Sequence, residues 1–211
     1  MKSRKILLKN SRLYLIIDKK TAGKCSLPAI AAKVTGPGVD IIQFRDKESK
    51  REDVLKNALL IRKILSGAKK LFIVNDYLDI ARIVDSDGIH LGQEDMPIEI
   101  ARRVLGKDKI IGISCHNLKQ ALKAQGEGAD YIGIGPVFST PTKPGYLAIG
   151  PDLFRALKKK IKIPIFAIGG INLNNINGIL SSGAKRVSVC RAILAAENIP
   201  SAIEELSGIL H

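Results

Sequence analysis

Residues 110–135 read IIGISCHNLKQALKAQGEGADYIGIG and contain one strand–helix–strand unit. The apolar runs at 110–114 and 131–135 are typical of short strands buried on both faces of a parallel sheet. Between them, Asn117 is a helix-starting residue ahead of the amphipathic segment 118–125, and Gly126 lies where that helix would stop. The stretch therefore predicts two parallel strands joined by a helix.

The same unit recurs along the whole sequence. Further apolar, strand-like runs lie at 13–17, 41–44, 71–74, 88–91, 165–168 and 187–189. Further helical segments are predicted at 51–65, 97–105, 151–160 and 173–180, with a shorter one within 76–84. Eight strand–helix units in 211 residues indicate the α/β class and a single (β/α)8 TIM-barrel domain over 1–211, in which 1–11 is a basic N-terminal extension. The alternative, an open doubly wound sheet, usually has fewer strands, and no dinucleotide-binding glycine motif opens the first helix.

The charge balance favours anionic partners. Lys and Arg total 34 against 20 Asp and Glu, a formal net charge of +14. With four Tyr, five Phe and no Trp there is little for base stacking, so phosphorylated small molecules are favoured over nucleic acid. The sequence leaves a homo-oligomer open.

The cysteines and the apolar runs predict a soluble cytoplasmic protein. Cys25, Cys115 and Cys190 are odd in number and far apart, which indicates reduced thiols rather than disulfides. The apolar part of the basic N-terminal stretch is too short for a signal peptide. No apolar run approaches the ~20 residues of a membrane-spanning helix, so no membrane partner is expected.

Polar residues follow the predicted strands on one side. QFRDK, ND, GQED, SCH, STPTK and GGIN stand at the carboxyl ends of the second to seventh strands. TIM barrels carry their active sites at this end. The sequence therefore predicts a site at the carboxyl end of the barrel.

Gln43, Arg45 and Lys47 are spaced by two, so they share one face of an extended strand, while Ile42 and Phe44 face the helix layer. Two interpretations stay open for the polar face. It makes an internal ion pair or a solvated strand end, or it clamps the oxygens of a diphosphate.

Asp76 and Asp95 end two adjacent strands. Two carboxylates beside an anion clamp suit Mg²⁺, which takes one or two protein carboxylates together with phosphate oxygens. The alternative is that each caps the following helix, which Pro97 makes plausible for Asp95. His90, inside a strand, is expected to be a hydrogen-bonded core residue.

Two loops are candidates for phosphate binding. VFSTPTKPGY (137–146) has the composition of a surface connection, yet Thr140, Thr142 and Lys143 offer two hydroxyls and an ammonium group. Gly169 and Gly170 end the seventh strand and would let backbone N–H groups approach a ligand closely, or would form a tight turn.

Six motifs carry a resemblance to a known family. QFRDK, VND, GIHLGQED, GISCH, DYIGIGPVFSTPTK and FAIGGIN have the order and spacing of bacterial thiamine-phosphate synthases, and the resemblance runs from about residue 13 to 194. It implies a TIM-barrel transferase that joins 4-amino-2-methyl-5-(diphosphomethyl)pyrimidine to 4-methyl-5-(2-phosphoethyl)thiazole, or its carboxylated form. Thiamine phosphate and diphosphate would result from dissociative substitution at the pyrimidine methylene.

The resemblance also implies a role for each site residue. The pyrimidine diphosphate would be bound by Gln43, Arg45, Lys47, Asn75, Ser114 and Lys143. The catalytic groups among these would be Arg45, Lys47, Ser114 and Lys143. The ligands of Mg²⁺ would be Asp76 and Asp95. The thiazole phosphate would be bound by Thr140, Thr142, Gly170, Cys190 and Arg191.

Two other functions stay open: a thiazole tautomerase, which is a paralogous isomerase of similar fold, and a non-enzymatic regulator that binds thiamine precursors or nucleic acid. The complete set of diphosphate residues argues against the tautomerase. The residues PGYLAIG after Lys143 depart from many relatives, so the closure of that loop is left open. Arg191 either adds a charge near the thiazole phosphate or faces solvent.

Overall fold

The computed structural model describes residues 4–140, 145 and 147–210, in which eight parallel strands close into a barrel in sequence order. The strands are β1 (Leu13–Asp18), β2 (Ile41–Arg45), β3 (Leu71–Asn75), β4 (Gly88–Leu91), β5 (Ile110–Cys115), β6 (Tyr131–Ile134), β7 (Ile165–Ile168) and β8 (Val187–Val189). Each predicted strand agrees with an observed one to within one residue at either end. The predicted (β/α)8 barrel is confirmed.

Helices surround the barrel and connect its strands. They are α1 (Arg4–Asn10), α2 (Lys19–Ala22), α3 (Leu27–Lys33), α4 (Arg51–Ile64), α5 (Leu78–Ile83), α6 (Ile98–Leu105), α7 (Leu118–Gly126), α8 (Leu153–Lys160), α9 (Ile176–Ser181), α10 (Arg191–Leu194) and α11 (Ile199–Leu210). None of the helices in the described ranges has both the length and the apolar composition needed to cross a membrane.

Helix α9 begins three residues later than the sequence predicts. The side-chain oxygen of Asn175 accepts a hydrogen bond from the Asn172 N–H (2.9 Å), and that of Asn172 accepts one from the Asn174 N–H (2.9 Å). Asparagine side chains that bond nearby backbone groups compete with helical hydrogen bonds. Residues 172–175 therefore form a turn, and the helix predicted from residue 173 begins at Ile176.

The alternation of side chains along each strand divides the core in two. Ile42 and Phe44 of β2 pack with the outer helices, whereas Ile41 joins an apolar cluster inside the barrel. Gln43, which follows Ile41 on the inward face, is also buried. The predicted division of this strand is confirmed: its apolar face stabilises the helix layer, and its polar face points into the barrel.

The basic N-terminal stretch contributes helix α1 to the amino end of the barrel. Leu8 is 2% exposed and belongs to the apolar cluster inside the barrel. Arg4 pairs with Asp87 (2.7 Å) and Lys5 with Asp130 (3.1 Å), and these aspartates immediately precede β4 and β6. Helix α1 therefore covers the end of the barrel opposite to the predicted site.

Candidate active site

A cavity of about 420 Å³ lies at the carboxyl ends of the strands and is lined by residues from all eight strand ends or the loops after them. The predicted site residues that line it are Gln43, Arg45, Asn75, Ser114, Thr140, Gly170, Cys190 and Arg191. Lys47, Asp76 and Asp95 are not part of this lining and form a separate group. Thr142 and Lys143 lie outside the described residues.

Arg45 is held by a buried partner that the sequence analysis did not identify. Its guanidinium pairs with Asp18, which is 1% exposed and ends β1 beside β2. The second carboxylate oxygen of Asp18 accepts hydrogen bonds from the Thr21 N–H (3.0 Å) and hydroxyl (2.9 Å). Arg45 thus makes an internal ion pair, one of the two interpretations, and still lines the cavity. Asp18 follows an apolar run in the same way as the other site residues, and that signal could have identified it.

Lys47, Asp76 and Asp95 lie together after β2, β3 and β4. The Lys47 ammonium is 2.7 Å from Oδ2 of Asp76. Burial raises the pKa of Asp76, Lys47 opposes that effect, and the hydrogen-bonded Asp95 carboxyl adds to it. Burial also acts to raise the pKa of Asp95, but the Gly92 N–H, the contact with Asp76 and the Lys47 charge outweigh it and hold that pKa low. The two carboxyls therefore share one small, partly desolvated region.

Neither aspartate caps a helix, so that alternative is wrong. Tyr77 is the N-cap of α5 and Pro97 that of α6, and neither helix has a side-chain cap hydrogen bond. Asp95 instead accepts a hydrogen bond from the Gly92 N–H at 2.6 Å. Over the described ranges no three His, Cys, Asp or Glu side chains are grouped as metal ligands. The pair leaves any further ligands of a cation to substrate oxygens and water.

Five polar side chains cross the barrel interior beneath the cavity, and together we call them the relay: Gln43, Tyr14, Tyr131, His90 and Ser114. The Gln43 amide nitrogen lies 2.7 Å from the Tyr14 hydroxyl, which lies 2.8 Å from that of Tyr131. His90 follows, with Nδ1 2.9 Å from the Tyr131 hydroxyl and Nε2 2.9 Å from Oγ of Ser114. His90 is confirmed as a hydrogen-bonded core residue. Neither tyrosine was predicted from the sequence, although Tyr14 precedes Ile16 and Asp18 on one strand face.

Gly112 provides the space that the relay needs. It pairs in register with His90 of β4 on one side and with Tyr131 of β6 on the other. A Cβ atom at Gly112 would lie 2.0 Å from Cζ of Tyr131. The Tyr131 ring therefore occupies the place of a side chain on β5, and its hydroxyl reaches His90 across that strand.

The loop after β7 is drawn close to the loop after β6. Gly169 and Gly170 have φ angles of 100° and 67°, the left-handed region that favours glycine. The Gly169 carbonyl accepts a hydrogen bond from the Phe138 N–H (3.0 Å), and a Cβ atom at Gly170 would lie 2.7 Å from the Ser139 carbonyl oxygen. Both glycines therefore serve close backbone approach, and the start of the loop that contains Thr140 joins the same wall of the cavity.

The two cysteines that line the cavity are not activated nucleophiles. Burial raises the pKa of Cys115 to about 12. Burial likewise raises the pKa of Cys190 to about 11, and the hydrogen bond with Thr21 only partly opposes it. Since the thiolate is the nucleophilic form, both thiols are unreactive near neutral pH. All three cysteines are free thiols.

The chain is similar to known proteins over nearly its whole length. Residues 13–193 match the family described as thiamine monophosphate synthase. The chain is 40% identical over 201 residues to a thiamine-phosphate synthase of Chloroflexus aurantiacus, covering 94% of this chain and 92% of the relative. It is 40% identical over 204 residues to that of Halalkalibacterium halodurans, covering 96% and 97%. A solved thiamine phosphate pyrophosphorylase from Pyrococcus furiosus superimposes with a TM-score of 0.86 and 35% identity over 97% of each chain. The matched residues include all eight strands that build the cavity.

Proposed function

This chain belongs to the thiamine monophosphate synthase family, and from that premise we propose how its cavity acts in a transferase that makes thiamine phosphate. The substrates are the pyrimidine diphosphate and the thiazole phosphate named above, and the second product is diphosphate. One observation carries the proposal: a single cavity brings Arg45 and Asn75, at the ends of β2 and β3, together with a glycine wall after β7. Two phosphorylated molecules can therefore meet over one polar floor.

The diphosphate is bound on the wall formed by β2 and β3. Arg45 presents a guanidinium whose position is set by Asp18, and Asn75 lines the cavity beside it. Guanidinium groups suit phosphate because their donors match two oxygens at once. Lys47 adds an ammonium beyond Arg45, and Lys143 is assigned to the same group from the sequence alone. This wall stabilises the leaving diphosphate.

The thiazole phosphate is bound on the opposite wall. Strand β7 stands across the closed barrel from β2 and β3, and Gly170 brings backbone close to the loop that starts with Ser139 and Thr140. Backbone N–H groups beside glycines make phosphate sites, and TIM barrels often place them after strands 7 and 8. Gly170, Thr140 and the backbone at Cys190 and Arg191 form this second site.

The Asp76 and Asp95 pair fits Mg²⁺ as the cofactor. The two carboxyls are close enough that Asp95 raises the pKa of Asp76, an arrangement that a cation would relieve. Mg²⁺ is usually held by one or two carboxylates and by substrate phosphates, which agrees with a pair rather than a closed cage. When bound, the ion would neutralise charge on the diphosphate. Lys47 orients Asp76 for this role through their ion pair.

The chemistry needs no protein nucleophile. The aminopyrimidine ring can delocalise the positive charge that develops at its methylene carbon as the bond to diphosphate breaks. Arg45 and Lys47 stabilise the charge that accumulates on the leaving group, a contribution of several kcal/mol in water-excluded sites. The thiazole nitrogen then forms the new carbon–nitrogen bond. The high pKa values of Cys115 and Cys190 agree with a direct transfer.

The test is to mix the purified protein with both precursors and Mg²⁺ and to measure thiamine phosphate and diphosphate, which should form in equal amounts. Asp95→Asn should lower turnover about 100-fold or more, since metal-ion charge stabilisation is worth several kcal/mol. The matched control is Asp79→Asn, because Asp79 is half-exposed and pairs with Arg51 outside the cavity.

The outcomes separate the alternatives. No thiamine phosphate from the wild-type protein, with isomerisation of the thiazole alone, would favour the tautomerase. Salt-sensitive DNA binding without turnover would favour the regulator. Full activity of a folded Asp95→Asn variant would remove Asp95 from the metal site. We further propose that the enzyme acts in the cytoplasm without nucleic-acid or membrane partners.

A further inference from the structure

The hydrogen bonds of the relay all run in one direction, which is determined by the bond between Gln43 and Tyr14. The Gln43 amide nitrogen is a hydrogen-bond donor and cannot accept, so it donates to the Tyr14 hydroxyl. Burial raises the pKa of Tyr14 and of Tyr131, so each phenol keeps one proton to donate. Among the described residues, the remaining hydrogen-bond partner of the Tyr14 hydroxyl is the Tyr131 hydroxyl, and Tyr14 therefore donates to it.

The same reasoning continues to the other end. The Tyr131 hydroxyl accepts from Tyr14 and so donates its own proton to Nδ1 of His90. An imidazole whose Nδ1 accepts a hydrogen bond carries its ring hydrogen on Nε2, and His90 donates this hydrogen to Oγ of Ser114. The Ser114 hydroxyl then keeps its hydrogen for a ligand in the cavity. Every member of the relay donates in the same sense.

The two ends of the relay are consequently unlike. Gln43 lines the cavity, and within the described ranges its Oε1 accepts no hydrogen bond while its nitrogen is engaged with Tyr14. Gln43 thus offers an acceptor to a ligand, whereas Ser114 offers a donor. Tyr14 and Tyr131 are at most 1% exposed, so water cannot easily replace a missing member.

We propose that Tyr14, Tyr131 and His90 are positioning residues that fix this polarity and so determine which heteroaromatic ring the cavity accepts. This inference rests on the proposed function, in which the ring is an aminopyrimidine. The amino group of the ring donates to Oε1 of Gln43, and an acceptor atom of the same substrate accepts from the Ser114 hydroxyl. If an oxo group replaces the amino group, two acceptors face each other, the oxo oxygen and Oε1 of Gln43. Such a mismatch leaves buried polar groups unpaired, which is how hydrogen-bonding sites reject analogues.

Tyr131→Phe should remove the hydrogen-bond acceptor that fixes the direction of the relay. Without its acceptor at position 131, the Tyr14 hydroxyl can donate to Oε1 of Gln43 once the amide turns over, and Gln43 then presents its nitrogen to the cavity. The variant should bind the 4-oxo pyrimidine diphosphate better relative to the 4-amino compound than the wild type does. The ratio of the affinity for the 4-amino compound to the affinity for the 4-oxo compound should fall about tenfold or more, which is the contribution of one hydrogen bond with its desolvation.

The experiment measures binding of both pyrimidine diphosphates by calorimetry, without thiazole. Tyr77→Phe is the control, since this tyrosine stacks on Arg51 outside the relay. The Tyr14→Phe/Tyr131→Phe double variant, which removes both hydroxyls together, is the second test should Tyr131→Phe unfold. An unchanged ratio in either folded variant would overturn the proposal.

A second readout does not depend on the proposed function. Nitrogen NMR of the ligand-free protein reports which ring nitrogen of His90 carries hydrogen, with the signal assigned through its loss in His90→Asn. We expect hydrogen on Nε2 in the wild type, and hydrogen on Nδ1 would overturn the proposal. If the wild type binds neither pyrimidine, the proposed function fails, and this measurement still decides the direction of the relay.

Discussion

Replacing Asp18 by Asn is expected to destabilise the barrel and to make its stability depend on a bound anion. Asp18 is the buried partner of Arg45, whose side chain is only 19% exposed. The amide keeps an oxygen for the two hydrogen bonds from Thr21, and Asn caps a helix about as well as Asp. The variant therefore removes the negative charge and replaces the oxygen that accepts from Arg45 by an NH₂ donor, while the bonds to Thr21 are kept.

The expected loss follows from this partial burial. Removing one partner of a fully buried ion pair costs about 3–5 kcal/mol, so a pair at the cavity wall should lose about 2–3 kcal/mol. In a chain of this length each kcal/mol shifts the melting temperature by about 2–4 °C, which gives a decrease of about 4–12 °C. Pyrophosphate added without Mg²⁺ should restore part of this loss, because it supplies the charge that Arg45 lacks.

The assay is urea and thermal unfolding of both proteins over a pyrophosphate titration. Asp18→Asn should bind pyrophosphate about tenfold more tightly, which is about 1.4 kcal/mol. Asp79→Asn breaks a half-exposed ion pair and should change stability by less than about 1 kcal/mol. Equal pyrophosphate shifts in wild type and Asp18→Asn would refute the reasoning that Asp18 sets the charge which Arg45 presents to an anion.

Three further predictions concern other parts of the barrel. Gly170→Ala should cost about 1–2 kcal/mol of unfolding free energy from its left-handed backbone alone, and should raise KM for the thiazole phosphate more than for the pyrimidine; an unchanged KM would contradict the site. Leu8→Ala should cost about 2–5 kcal/mol in urea unfolding because it leaves a cavity in the barrel interior, and a loss under 1 kcal/mol would mean that α1 is loosely packed. Iodoacetamide at pH 8 should modify Cys25 alone by mass spectrometry with turnover retained, since burial raises the pKa of the other two thiols to about 12 and 11; rapid loss of turnover would falsify that account.

The strands were predictable because their signal is local. Short β-branched runs between helical segments are recognisable without knowledge of partners, so every strand lies within one residue of its expected bounds. The period of two along Gln43 and Arg45 also sufficed to place both inside the barrel. The position of polar residues after strands placed Gln43, Arg45, Asn75 and Ser114 at the cavity, because parallel strands in a barrel all end on one side.

Partners across strands were not predictable in the same way. That Arg45 meets Asp18 depends on the register of β1 and β2, which no local pattern of either strand contains. The relay depends in the same way on five strands, β1, β2, β4, β5 and β6, meeting at one level. Helix α9 was placed too early because its apolar period extends into 172–175, where asparagine side chains bond the backbone instead.

The missing side chain at Gly112 has a consequence for how sequences of this family can change. Any larger residue there would collide with the Tyr131 ring, at 2.0 Å from Cζ for the first added carbon. A larger residue at position 112 is therefore tolerated only after the residue at 131 has become smaller. In the same way, a tyrosine at 131 can arise only while position 112 is glycine. The two positions should covary among homologues, with their order of substitution constrained, although neither needs to touch a substrate.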